Sequence, residues 1–274
     1  MRHILLIGVT LATPACTKVD VAAEMESALV VTNHAIGLAL LTTDIASYQL
    51  EIPSEVPTQT TDSADTGLND TGTTDTGARR HGEGGPCPEL FAVSDALIEV
   101  DYRTGCLPRS GLMPVVVSGT VFVERNETSF DGQFDTYAIN LSHAVTGSIE
   151  GTTTQGPNAL QISTTFDITA KDGKETLRAS GNTTAKLTGS EVTLDGDLSI
   201  NEASAVKVSL DGLTLDLSDI PGECPEPSGG SATAGLSREA IVDYTTPGNG
   251  QVTVAYGKRT SDDVRLCAFR SWLF

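Results

Sequence analysis

The side chains from which this 274-residue chain could build chemistry are four histidines, five cysteines and thirty-six carboxylates. Their spacing argues against most reactions. His3, His34, His81 and His143 are far apart, and none has a second histidine or a cysteine at metal-ligand spacing. There is no G-x-S-x-G elbow, no H-E-x-x-H pair and no glycine-rich phosphate loop opening a helix. Asp195 and Asp197 fall on one face of a strand and could in principle share acid–base work, but two solvated aspartates flanking Gly196 are the simpler expectation. His143, alone in a strand, is expected to be solvated or hydrogen-bonded. No catalytic residue, metal ligand or cofactor site is assigned. Cys87, Cys106, Cys224 and Cys267 form an even set, which in an exported protein suggests disulfides with three connectivities open. Sequence proximity favours Cys87–Cys106 and Cys224–Cys267. A bridge closing a loop of about 20 residues stabilises by roughly 3 kcal/mol in the chain-entropy model. A zinc site would need close pairs such as C-x-x-C, which are absent.

The fifth cysteine stands apart. Met1-Arg2-His3 is a short basic start, Ile4 to Leu11 an apolar run, and Ala12-Thr13-Pro14-Ala15 a small-residue segment ending at Cys16. That order is the order of a secretory signal, and its apolar run is too short to span a bilayer. A cysteine placed directly after it resembles the lipobox of bacterial lipoproteins, with Thr13 where leucine is usual and Pro14 beside the cut. The resemblance implies removal of residues 1–15, acylation of Cys16 with palmitate-type chains, and attachment to a membrane. Thr17 follows the cysteine where a retention aspartate would stand, which implies the outer membrane, facing periplasm or cell surface.

The elements that would carry these groups divide the chain by composition. A formal net charge of -19 and a pI near 4.4 repel phosphate backbones, so nucleic acid is excluded as a partner. Residues 16–53 form the anchored segment, with a helix expected over Val19–Gln49 and stopped by Pro53. Its apolar residues fill nearly every face, so it should be buried, and Thr32-Asn33-His34 interrupt it enough that burial against a sheet is preferred to a membrane span. Residues 54–86 repeat Asp-Thr-Gly at Asp65, Asp70 and Asp75 and hold no large apolar residue after Leu68. Such a segment cannot offset its ordering entropy and is expected to be a disordered acidic linker. Its aspartates lack the spacing of an EF-hand loop.

From residue 87 to 274 the pattern turns to period two. Val117 to Val123, Tyr137 to Leu141, Leu160 to Ile168, Leu177 to Leu187, Val192 to Ile200 and Val206 to Leu210 alternate apolar with polar positions. Asp131-Gly132, Pro157-Asn158, Asp172-Gly173, Gly189-Ser190 and Asp211-Gly212 read as turns. Each strand then has one buried and one wet face, which means an antiparallel sheet. Strands of about ten residues in one long meander should twist into a roll or half-barrel. After Pro221 to Pro227, four shorter strands are expected at Ser231–Leu236, Ala240–Tyr244, Gln251–Gly257 and Val264–Phe269, a C-terminal unit over 224–274. The terminal Trp272 and Phe274 should cap the core, because the chain has too few aromatics for the girdles of a membrane barrel.

The layout of Cys16, the Asp-Thr-Gly repeats, and Cys224-Pro225-Glu226-Pro227 leading into Ile241-Val242-Asp243-Tyr244 resembles uncharacterised lipoproteins of the myxobacterial type. That resemblance implies an address and imports no activity. The expectation is a mainly β, exported lipoprotein whose β domain is structural, adhesive or ligand-binding, with an unidentified protein or apolar ligand as partner. The competing expectations are an envelope hydrolase whose site the sequence does not display, and a periplasmic carrier of lipid or another apolar ligand. A carrier needs an open apolar concave face; a helix lying in that face would remove its cavity.

Overall fold

The computed structural model describes residues 20–50, 87–108, 112, 115–139, 143–172, 175–201, 205–217, 227–245 and 251–265. Cys16 and its leader, the Asp-Thr-Gly segment, Cys224, Cys267, Trp272 and Phe274 lie outside the described residues.

Helix α1 spans Val21–Ser47 and is continued by a 3-10 turn, Tyr48–Leu50. It opens at Asp20, whose carboxylate accepts the backbone N–H groups of Ala22 at 3.1 Å and Ala23 at 3.5 Å. These are first-turn donors with no partner inside the helix, and an aspartate cap satisfies them. Val31 to Ala46 are buried without exception. Length and composition would let Val21–Leu50 cross a membrane, yet 94% of its most apolar window is enclosed by protein. It is the core helix of the domain.

What encloses it is a sheet of thirteen strands: β1 (Glu89–Ala92), β2 (Leu97–Asp101), β3 (Val117–Asn126), β4 (Ser129–Ile139), β5 (His143–Gln155), β6 (Leu160–Asp172), β7 (Glu175–Thr188), β8 (Glu191–Asn201), β9 (Ala205–Asp216), β10 (Pro227–Gly235), β11 (Glu239–Asp243), β12 (Gln251–Tyr256) and β13 (Arg259–Arg265). Each strand pairs antiparallel with the next in sequence order. Among the described residues nothing pairs β13 with β1, so the sheet is an open meander. It curls, because α1 packs against β3, β4 and β6 through β12. A straight helix reaches nine strands of one sheet only if the sheet wraps it.

The register shows why. Val123, Gly132, Ile149, Phe166, Gly181 and Leu198 stand side by side across β3 to β8 and face the helix. One residue along, Glu124, Asp131, Glu150, Thr165, Asn182 and Asp197 form the neighbouring row, and all six are exposed. Period-two patterning therefore separates core from solvent over the whole meander. Gly132 on the inner face lies over the helix: a Cβ built there would make an ordinary contact, 3.8 Å, with Cγ2 of Ile45.

Three sequence expectations change in detail. Asp131-Gly132 is not a turn; it lies inside β4, and the turn is Glu127-Thr128. Asp211-Gly212 lies inside β9, where the pairing with β8 slips between Leu194 and Gly196 and the pairing with β10 slips beside Gly229. The bulge flips parity, so buried Leu210 is followed by buried Leu213 and Leu215. The last strand among the described residues begins at Arg259, earlier than the expected Val264, because β12 turns back at once through Gly257-Lys258; positions 266–269 of the expected strand lie outside the described residues. The C-terminal strands also continue the main sheet, since Pro227 on β10 pairs with Leu215 on β9.

Candidate functional site

Most of the interior is Val, Leu, Ile and Ala, so any chemistry must come from the few polar groups sealed within it. The most concentrated group gathers at the C-terminal end of α1. Asp44 is on the last turns of the helix, Tyr48 one turn later, Tyr102 immediately after β2, and Tyr137 on β4. The Tyr102 hydroxyl donates to Oδ2 of Asp44 at 3.0 Å, and the Tyr48 hydroxyl to Oδ1 at 3.3 Å. The rings meet edge to face: centroids are 6.3 Å apart for Tyr48–Tyr102 and 5.4 Å for Tyr102–Tyr137, each pair inclined at 77°. Phe134 tilts against Tyr137 at 5.2 Å. Such crossed pairs are the favoured geometry for aromatic quadrupoles.

None of the four polar residues is more than 1% exposed. Burial pushes the phenols of Tyr102 and Tyr137 well above the ordinary tyrosine value, and the nearby Asp44 carboxylate adds to the shift. Both phenols therefore stay protonated at neutral pH, and Tyr102 serves Asp44 as a donor, not a base. The Tyr137 hydroxyl has no hydrogen-bond partner, nor does that of Tyr244, whose phenol burial also raises. The cluster can fix the helix end against β2 and β4. Sealed on all sides, it offers no surface on which a substrate could reach Asp44.

A second polar contact ties the C-terminal third of the helix to the sheet. Thr42 hydroxyl lies 3.2 Å from that of Thr164 on β6, and Thr164 lies 2.7 Å from Thr183 on β7. Thr42 also reaches the Ala39 carbonyl at 3.1 Å. All three threonines are buried. Their hydroxyls satisfy one another, which is what permits them in an apolar layer.

The residues singled out from sequence fall as follows. Asp195 and Asp197 are exposed on β8, on the convex side. Asp195 accepts the Gly212 N–H at 2.8 Å, and Asp197 accepts the Ser209 hydroxyl. Both are engaged in bracing the β8–β9 bulge. His143 begins β5 and is buried, with Nδ1 3.3 Å from the Ile139 carbonyl. His34 is buried within α1. Cys87 and Cys106 come together as a disulfide with Cα atoms 6.3 Å apart, and Arg103 forms an ion pair with Glu89 beside it. Among the described residues no three His, Cys, Asp or Glu are grouped to hold a metal ion.

The acid–tyrosine cluster is absent from the sequence expectations. Its signal there is slight: Asp44 is the one carboxylate in the otherwise uncharged stretch from Ser27 to Gln49, a position where an unpartnered charge would be costly. The tyrosines that satisfy it are Tyr48, four positions on, and Tyr102, 58 positions away in sequence. No family model matches this chain, and neither a curated protein nor a solved structure is similar to it.

Proposed function

We propose that this protein is an exported lipoprotein of the outer membrane, held by acyl chains on Cys16, whose β domain serves a structural or adhesive role without catalysis. The observation that carries the non-enzymatic part is the occupancy of the concave face by α1. A curled sheet with an empty hollow would offer a ligand site; here the hollow holds the chain's own helix, buried on every side from Val31 to Ala46. The Asp44 carboxylate and the hydroxyls of Tyr48, Tyr102, Thr42, Thr164 and Thr183 are committed to partners inside it. That arrangement counts against a carrier of apolar ligands, which would have to expel α1, and against a hydrolase using Asp44, which no substrate can reach.

What remains for a partner is the convex face, where Thr165, Asn182, Asp197 and Ser209 line up across four strands. It is hydroxyl- and carboxylate-rich, suited to contact with other polar surfaces of the envelope. The anchor reading is supported by the order of the leader and by the four remaining cysteines, of which Cys87 and Cys106 pair without Cys16. Metabolic labelling with a palmitate analogue tests it: the wild type takes up label and Cys16→Ser does not. A wild-type chain without label refutes the anchor.

A further inference from the structure

We infer that the β domain rests end-on against the bilayer, with the mouth from which α1 emerges facing the lipid, and that residues 51–86 do not separate the domain from its anchor. The inference rests on the proposed acylation of Cys16.

The direction of α1 within the sheet follows from its contacts. Thr42 meets Thr164, which shares a row with Phe130 through Gly151. Ile45 lies against Gly132, two residues further along β4. Asp44 and Tyr48 meet Tyr102, which packs on Tyr137, further still. The helix therefore runs the same way as β4 and β6. Its N-terminus points toward the end at which these strands begin, the end of the sheet that carries the turns Glu127-Thr128 and Gly189-Ser190. There one face of it opens to solvent: Ala22, Ala23, Glu26, Ser27 and Val30 are exposed while Met25, Ala28 and Leu29 stay buried, whereas every residue from Val31 to Ala46 is buried.

Both attachment points of residues 51–86 lie at the opposite end. Leu50 closes the 3-10 turn that follows α1, next to Tyr102. Cys87 precedes β1, whose Glu89 pairs with Asp101, and the next residue, Tyr102, donates its N–H to the Gly119 carbonyl near the start of β3. Chain length then sets the geometry. From Cys16 to Asp20 there are four residues, a reach of at most about 14 Å, against more than about 110 Å for the thirty-six residues of 51–86 if extended. Because α1 is the core of the domain, the short connection governs the distance to the membrane. The long one starts and ends on the side turned away, where Arg238, Lys258 and Arg259 are exposed.

The test uses the full acylated chain in vesicles whose headgroups carry an energy-transfer acceptor. A donor is placed through a clickable amino acid at Ser190, on the proximal turn, or at Lys258, on the distal one. The expected result is transfer several-fold stronger from Ser190, unchanged when residues 57–80 are deleted. Equal transfer from both positions, stronger transfer from Lys258, or weak transfer that rises on deletion overturns the orientation while leaving the anchor intact. A chain whose mass shows no acyl group on Cys16 and which stays off the vesicles overturns the anchor and the orientation with it.

Discussion

The hydroxyl of Tyr102 donates to Oδ2 of Asp44 across 3.0 Å, joining a loop after β2 to the last turns of the central helix inside a region that water does not reach. A buried carboxylate is tolerated only where its oxygens are supplied with donors. Tyr102→Phe removes one donor and leaves Oδ2 short, so a loss of about 1–3 kcal/mol is expected. Tyr137→Phe is the contrasting case. Its hydroxyl is buried and without a partner, so deleting it should leave stability unchanged or raise it. Urea unfolding of the two variants checks the pair; equal losses would show that the hydrogen bond to Asp44 carries no special weight.

The same burial predicts an alkaline limit. The phenols of Tyr102, Tyr137 and Tyr244 are all raised in the folded chain. Below the unfolded value near 10, both states are protonated and stability is independent of these groups. Above it only the unfolded chain releases protons, so stability falls as pH rises, until the raised folded values are reached. Each tyrosine contributes a slope of about 1.4 kcal/mol per pH unit, or about 4 for the three together. Urea midpoints between about pH 10 and 11.5 should drop accordingly, with tyrosinate at these three residues appearing only on unfolding. Tyrosinate forming at Tyr102, Tyr137 or Tyr244 before the fold is lost would contradict the burial of these rings.

Strand β3, the end of β4 and strands β6 to β9 were legible because each presents one face to a helix and one to water, and period-two alternation records that difference directly; β5 was not, since its glycines and threonines leave little apolar contrast. The buried helix was legible for the complementary reason, since apolar residues on all its faces need a solvent-free site. Strands β1 and β2 were not. Glu89–Ala92 is half-buried at each position, so its side chains carry no contrast to read. The Asp-Gly pairs misled because the dipeptide signals a turn only when the chain must reverse. At Asp131-Gly132 the chain runs straight on within β4, and at Asp211-Gly212 the glycine carries a bulge. The acid–tyrosine cluster depends on which strand ends meet the end of α1, which is a property of the wrapped sheet and of no local stretch.

The Cys87–Cys106 bridge spans 19 positions and holds the entry to β1 beside the connection that follows Tyr102. The double variant Cys87→Ser, Cys106→Ser should lose about 3 kcal/mol by the chain-entropy argument. Because Tyr102 sits within that loop, the variant should also loosen the packing around Asp44. Near-ultraviolet circular dichroism reads the tyrosine environment, and its signal should weaken in the variant under conditions where far-ultraviolet strand signal persists. An unchanged tyrosine signal would show that Asp44 alone holds Tyr102 in place.

Curling a long meander around a helix demands close strand contacts at particular glycines, and these should be the least replaceable positions in the sheet. Gly147 on β5 has φ +126°, and a Cβ there would lie 2.1 Å from the Asp167 carbonyl oxygen on β6. That neighbour is backbone held by the ladder, so no rotamer change relieves the clash. Gly212, with φ +56° and nothing within 4 Å of a built Cβ, meets only the intrinsic cost of a left-handed residue, about 1–2 kcal/mol. Gly147→Ala should therefore destabilise by clearly more than Gly212→Ala, because it must also part β5 from β6 or twist one of them. Both differences act in the same direction, since φ +126° lies outside the left-handed well that Gly212 occupies. Equal losses in urea midpoint would mean that β5 and β6 can separate at Gly147 without disturbing the wrap around α1.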